Sequence, residues 1–306
     1  MLRHFDSLMD LLDEFPDEQS CIDHVTAIRW RHGKFCPLCG NAEAERIGTL
    51  TGTNTHKCYV CRQRFSIRVG TIFQDTKLPL RKWFVAIWLI NAHPKGIAST
   101  TLAKDLKVTQ KTAWFVLHRL RHAQKTPSYN APLKGVVEID ETYVGGRQHN
   151  MHADKREAMK GGATGKTVVM GLIERHGELR AGVVDNVKTQ TLEPVVYHHV
   201  TPGSIVVTDA HMSYQHLGRG FRHYIVNHAH GEYVRGAAHT NSIESVWALL
   251  KRQIIGIHHW VSPKHLDAYV SEMAFRFNRR DEKPAQRMND MLAQIEGSLP
   301  YKVLTA

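Results

Sequence analysis

The sequence predicts an α/β chain in three parts: a small metal-held ribbon, a short helical block and a larger domain of mixed strands and helices. Three observations carry that expectation. Two Cys-x-x-Cys pairs stand 18 residues apart. Apolar residues between 79 and 120 recur at helical spacing. From residue 136 the pattern changes to alternating and continuous β-type runs.

Residues 1–30 are read as an N-terminal helical segment. They carry two basic and seven acidic side chains and lack the basic-then-apolar order of a secretory signal. Residues 31–75 form the ribbon. Cys36-Pro37-Leu38-Cys39 and Cys58-Tyr59-Val60-Cys61 have the two-knuckle spacing of a zinc ribbon. Each two-residue gap turns the backbone so that both thiolates face one tetrahedral ion. Gly40-Asn41 and Arg62 suit the tight turns that follow the knuckles. Four protein ligands leave no open position, so this Zn²⁺ is structural. His56 lies outside the Cys-x-x-Cys phase and is assigned to a strand. Cys21, the fifth cysteine, is expected to be a small buried apolar residue. An odd count in a reducing compartment argues against a disulfide framework.

Residues 76–125 are the helical block. Pro79 opens a helix whose apolar face is Trp83, Ala86, Ile87 and Ile90, and Asn91 to Gly96 stops it. Ser99 or Thr100 caps a short helix through Leu102, Ala103 and Leu106. A tight turn at 107–109 follows, and Thr109 caps a third helix with Ala113, Leu117 and Leu120 inside. This is the layout of a helix-turn-helix. Its outward face is expected to carry Gln110, Lys111, Thr112, His118, Arg119 and His122, side chains able to reach base edges and phosphates.

Residues 126–135 read as a linker, rich in Pro, Ser, Asn and Gly. Residues 136–280 then give a strand over 136–144, a hairpin of 167–173 and 179–184 turning at His176-Gly177, and a helix near 189–200. A buried strand over 204–209 and a short β segment within 218–226 follow. Two helices come last, from Ser242 and from Ser262-Pro263. Residues 281–306 are left as a C-terminal tail. A meander, a helix, further strands and then helices is the element order of an RNase H-like fold.

That order gives three acids a purpose. Asp140 lies on the first strand, Asp209 ends the fourth, and Glu244 starts a helix; 68 residues separate the first two and 34 the last two. Converging carboxylates are hard oxygen ligands, suited to two Mg²⁺ (or Mn²⁺) ions about 4 Å apart in phosphoryl transfer. Each acid also has a plainer role. Glu138 and Glu141 rival Asp140; alternation puts Glu138 on the same face and Glu141 on the other. Asp185 is a second strand-end acid, Asp209 suits a turn cap, and Glu244 can close a capping box with Asn241.

The charge excludes some classes and favours one. A hydrophobic share of 42% with 23% charged residues is globular, not disordered. The longest apolar stretch, Trp83 to Ile90, is far short of the ~20 residues of a membrane span. No membrane partner is expected, and the reading is a soluble cytoplasmic chain associated with the nucleoid. The net charge is +11, and residues 31–130 hold 17 basic against 4 acidic side chains. An excess confined to the ribbon and helical block points to a polyanion, here double-stranded DNA.

At this point the sequence resembles a known family, the bacterial insertion-sequence transposases of the IS1595 type, with an ISXO2-like DDE domain of the integrase kind. The matching runs are CPLCGN, CYVCRQRFSIRVGTIF, VVEIDETYVGGR, GGATGKTVVMG, VVTDAHMSY, VNHAHGEYVRGAAHTNSIES, WALLKR and SPKHLDAYVSEMAFRFNRR. They span roughly residues 10–280 in the family's order. The resemblance implies a metal-dependent triad of Asp140, Asp209 and Glu244. It also implies a basic residue seven positions after the glutamate, here Lys251, which holds the DNA backbone. The FNRR run departs from the usual residues there without touching the triad. Residues 147–166, basic and glycine-rich, match a loop expected to be mobile without DNA.

The implied reaction is hydrolysis at each element end, freeing a 3′-hydroxyl that then attacks target DNA. Joining two ends implies a homodimer or higher synaptic assembly. Three other readings remain. One is a catalytically silent, domesticated DNA-binding regulator. The second is a nuclease using His228 and His230 with Tyr224 or Tyr233 as nucleophile. The third is an RNA nuclease.

Overall fold

The structure is a computed structural model, and it describes residues 4–125, 131–146, 165–226 and 239–306. Two compact units are present: Met1–Thr126 together with Asp281–Ala306, and Pro127–Arg280. Among the described residues, no helix is long and apolar enough to cross a membrane. Most of the 147–166 loop lies outside the described residues, as do His228, His230 and Tyr233.

The first unit begins with α1 (Leu8–Glu14) and α2 (Glu18–Arg29). Ser7 and Asp10 form a capping box on α1, and the Asp17 carboxylate accepts the Ser20 N–H of α2 at 2.8 Å. Three short antiparallel strands follow, β1 (Ile47–Thr49), β2 (Thr55–Cys58) and β3 (Arg64–Ser66), in the order β1-β2-β3. Gly40 and Arg62, just past each knuckle, both have positive φ (+75° and +62°), the conformation those turns demand. Then come α3 (Leu80–Ala92), α4 (Ser99–Leu106) and α5 (Gln110–Gln124). Lys107 ends α4 in the left-handed conformation, and the Thr109 hydroxyl caps α5 by accepting the Thr112 N–H at 3.2 Å. The inner face of α5 holds Ala113, Leu117 and Leu120, as its periodicity predicts. Phe15 packs edge-on against Phe84, ring centroids 4.8 Å apart, tying the N-terminal helices to α3.

The second unit is a five-stranded sheet with helices on both faces. Its elements are β4 (Val136–Val144), β5 (Thr167–Glu174), β6 (Leu179–Val184), α6 (Thr189–His199), β7 (Ile205–Asp209), β8 (Arg222–Val226), α7 (Asn241–Gln253) and α8 (Pro263–Asn278). The strand order is β6-β5-β4-β7-β8. β4, β5 and β6 form an antiparallel meander, whereas β7 and β8 run parallel to β4. Alternation along β4 and β5 explains the two cores. Val137, Ile139, Met170 and Leu172 pack with Leu192 and Val196 of α6. Val144, Val169 and Ile173 pack on the other face with Ile243, Trp247 and Leu250 of α7 and Leu266 and Met273 of α8.

The chain then returns to the first unit as α9 (Pro284–Leu292) and α10 (Tyr301–Thr305). This corrects the expected tail. Met288, Met291, Leu292 and Ile295 are buried. The buried His24 ring meets Asn289 Oδ1 at 2.8 Å, and Arg29 holds Glu296 with two bonds. Pro284 at the helix start and apolar residues at 285, 288, 292 and 295 are a helical signal that the sequence carries openly.

Candidate active site and zinc cluster

The knuckles bring Cys36, Cys39, Cys58 and Cys61 together, their sulfurs all within 4.8 Å of one another. Cys36 lies 3.8 Å from Cys61 and Cys39 lies 3.8 Å from Cys58. Four thiolates at about 2.3 Å around one tetrahedral zinc sit at that spacing. Neighbouring backbone N–H groups hold the Cys58 thiol down at about 7, whereas burial raises that of Cys36. His56 is on β2, its Nδ1 paired with the Thr49 hydroxyl at 3.1 Å. Cys21 is fully buried, and burial pushes its thiol up to about 12.

Strand register sets Asp140 beside Asp209. β4 and β7 are parallel and pair Glu138 with Val207. Two residues further along each strand, on the same face, stand Asp140 and Asp209. Burial, and then the carboxylates of Asp209 and Glu244, push the Asp140 carboxyl up to about 6. Asp140 therefore lies within electrostatic reach of both other acids.

Glu244 is delivered by α7, and α7 is anchored to the strand of Asp140. Glu138 on β4 is fully buried. Its Oε2 accepts the N–H groups of Ser242 (2.8 Å) and Ile243 (3.2 Å), and its Oε1 accepts the Ser242 hydroxyl at 3.0 Å. A carboxylate at a helix N-terminus satisfies orphan donors and meets the positive end of the dipole. Arg175 lies on the same carboxylate at 3.1 Å and also donates to the His239 carbonyl. Asn241 is the first helical residue and Thr240 the N-cap, so Glu244 closes no capping box with Asn241. Instead the Thr240 hydroxyl donates to Glu244 Oε1 at 3.0 Å.

One turn beyond Glu244, the Trp247 indole N–H donates to Asp140 Oδ2 at 3.0 Å. The ring lies over Gly171, the β5 residue opposite Asp140. A Cβ there would sit 2.6 Å from the indole, so only glycine lets the ring approach. Lys251 is exposed two turns after Glu244 on the same helix. Glu141, which alternation places on the other face of β4, is nevertheless a perturbed acid. Its Oε1 is buried with no hydrogen-bond partner among the described residues, and burial followed by Asp140 and Asp209 pushes its carboxyl up to about 8. Asp185 is exposed at the end of β6.

Comparison with known proteins follows this geometry. Residues 132–278 match the ISXO2-like transposase domain, and residues 16–64 match the transposase zinc-ribbon domain. A protein in transposable element ISH50 of Halobacterium salinarum is 29% identical over 274 residues, 86% of this chain and 91% of that protein. A transposase-like protein of Haemophilus influenzae is 30% identical over 118 residues, 38% of this chain and 93% of its own length. The chain belongs to the IS1595 transposase family.

In this IS1595 transposase the four cysteines fall inside the zinc-ribbon match, and Asp140, Asp209, Glu244 and Lys251 inside the transposase-domain match. The structure redraws the expected outer face of α5. Gln110 and Lys111 are exposed and Thr112 and His122 half-buried, but His118 and Arg119 are buried. The Arg119 guanidinium donates to the carbonyls of Ile72 (2.9 Å), Gln74 (2.7 Å) and Leu299 (3.1 Å). The segment around Ile72 and Gln74 and the C-terminal segment together cover Arg119. Tyr301 packs on Phe115, ring centroids 5.3 Å apart, and lies 4.9 Å from the Lys111 ammonium. A face that looks solvated when 281–306 is a tail becomes an interior face when that segment folds back.

Sequence reasoning weighed Glu138 only as a rival of Asp140, and missed Arg175, Trp247 and Gly171 beside the acids. Glu138 shares the phase of Asp140, and Trp247 stands one turn from Glu244; both signals were present. Arg175 and Gly171 carried none, because their contacts are long-range.

Proposed function

We propose that this transposase binds the ends of its insertion sequence and carries out metal-dependent strand cleavage and strand transfer through Asp140, Asp209 and Glu244. One observation carries the reading: two aspartates level on adjacent parallel strands, with the helix of Glu244 pinned to the first strand by Glu138. The β6-β5-β4-β7-β8 order, with three antiparallel and two parallel strands, supports an RNase H-like catalytic domain. The α4–turn–α5 unit supports a helix-turn-helix, with Gln110, Lys111 and Thr112 at its accessible end.

Asp140 and Asp209 are half-buried and Glu244 is exposed, and the charges of Asp209 and Glu244 both bear on Asp140; divalent cations make such an arrangement of carboxylates favourable. Two Mg²⁺ or Mn²⁺ ions held there supply activation of the attacking oxygen and charge stabilisation at the leaving oxygen. Trp247 fixes the Asp140 carboxylate by one of its oxygens. Glu138 sets the height of Glu244. Lys251 lies along the same helix stripe and holds the backbone of the end DNA. Synapsis of two ends requires at least a dimer.

The test is cleavage of a labelled end duplex with Mg²⁺ or Mn²⁺, alongside binding by the same proteins. Asp140→Asn, Asp209→Asn and Glu244→Gln should each lower cleavage by several orders of magnitude and leave binding intact. Asp185→Asn should stay near wild type. Wild-type cleavage by Glu244→Gln would remove Glu244 from the site.

A further inference from the structure

The helix that carries Glu244 ends in an unusual way. After Gln253 it passes into a π-helical turn, Ile254–His258, and His259 then adopts φ +60° and ψ −43°. Histidine at positive φ is strained, and π-turns of this kind concentrate at functional sites. The segment is nevertheless held at both ends. Ile254 and Val261 are buried in the same core as α7 and α8. Between these anchors Ile255 and Trp260 are 66% and 64% exposed. Two large apolar side chains are thus fixed in solvent by strained backbone.

The surroundings select the partner. No acidic residue occurs between Glu244 and Asp267, whereas Lys251, Arg252 and Lys264 do, all exposed. Glu244 and Lys251 are seven residues apart, so they share one stripe of the helix, which runs on into the π-turn that holds Ile255. At 1.5 Å per residue the stripe runs ~10 Å from Glu244 to Lys251, a nucleotide or two of a single strand. Cations along the track match phosphates. Beyond the helix, the exposed indole of Trp260 matches the face of a base. That face is covered within a duplex and open only when bases are unpaired or unstacked.

We propose that Trp260 is a stacking site for unpaired bases of the DNA strand whose backbone lies along Lys251. The proposal rests on the reading of the chain as a DNA transposase and deepens it: the preferred substrate is DNA opened beside the cleavage point.

The test compares two probes with full-length, zinc-loaded protein: a fully paired duplex, and the same duplex ending in a short unpaired arm that carries 2-aminopurine. Wild type should bind the arm-bearing duplex about tenfold more tightly, with a change in 2-aminopurine emission, as stacking of one base on an aromatic ring gives. Trp260→Ala should bind both probes alike, and Trp260→Phe should keep most of the preference. Lys251→Ala should weaken both probes together. Zinc content and melting temperature verify that each variant is folded. An undiminished preference in Trp260→Ala overturns the proposal, as does wild-type binding to both probes equally; either result leaves the transposase reading standing. A shift of oligomeric state in Trp260→Ala with the arm preference intact makes this a self-association surface and also overturns it. Failure of the wild type to bind either probe removes the DNA reading itself, and the proposal with it.

Discussion

The indole N–H of Trp247 reaches Asp140 across an interface that Gly171 keeps open, so one side chain couples the helix of Glu244 to the strand of Asp140. Trp247→Phe keeps the ring packed and removes the donor. A hydrogen bond to a charged group contributes about 1.5–3 kcal/mol, so cleavage should fall at least about tenfold and need more Mg²⁺, with the melting temperature nearly unchanged. A wild-type Mg²⁺ dependence would show that the bond does not orient Asp140. The acid itself gives a pH prediction. Its carboxyl titrates at about 6 in the fold against 3.8 ordinarily, so the folded state binds the proton more tightly. The contribution of this carboxyl to metal-free stability is therefore greatest below about pH 4 and is lost as pH rises through 6. Glu141, at about 8, extends the same sign of effect upward. Asp140→Asn should raise the metal-free melting temperature at neutral pH, by an amount of order 2 kcal/mol in stability. Added Mg²⁺ should stabilise wild type and not the variant. Calorimetry across pH checks both; a variant less stable than metal-free wild type at neutral pH would refute the repulsion argument.

Elements differ in how far their own sequence determines them. The ribbon has three strands of three or four residues and a core of Cys36, Ile47, Cys58 and Phe65. Two of those four residues are zinc ligands, so the core and the metal site are the same object. Cys36→Ser should lose zinc and unfold residues 31–70 while the second unit keeps its melting transition; retained zinc by metal analysis would contradict this. β4 was legible from alternation because its two faces meet two different cores. α5 was legible as a helix, from its Thr109 cap and its apolar face, but not in what covers its other face. Propensity fixes where a helix lies, whereas the covering segment, 281–306, arrives from far along the chain. Arg119 shows the cost of that gap. Read alone, it is a basic side chain near a DNA-facing position; in the fold it binds three carbonyls from inside. Arg119→Ala should lower stability by more than 2 kcal/mol, since three buried acceptors lose their donor. Lys111→Ala should weaken DNA binding without that loss. Denaturant melts and DNA titrations of both variants separate the two roles.

For the molecule as a whole, both ends of the chain belong to one unit, and Pro127–Arg280 is inserted between them. The charge profile suggests cutting at residue 125 to isolate the basic part, but the packing argues against it. Such a fragment lacks Met288, Met291, Leu292 and Ile295, each at most 1% exposed. At about 1.5–3 kcal/mol for each buried aliphatic side chain, their loss removes ~6–12 kcal/mol. That equals most of the ~5–15 kcal/mol by which a domain is stable. It also strips His24 of Asn289, Arg29 of Glu296 and Arg119 of the Leu299 carbonyl. Residues 1–125 alone should therefore show no cooperative melt. Joining residue 126 to residue 281 through a short Gly-Ser linker should restore one, together with salt-dependent DNA binding. The inserted stretch 131–280 holds its own sheet and both of its cores, so it should melt cooperatively without the rest. A cooperative melt of 1–125 at the temperature of the linked protein would show that α9 and α10 decorate the first unit without holding it together. In that case the burial of Arg119 would have to be explained by the Ile72 and Gln74 carbonyls alone.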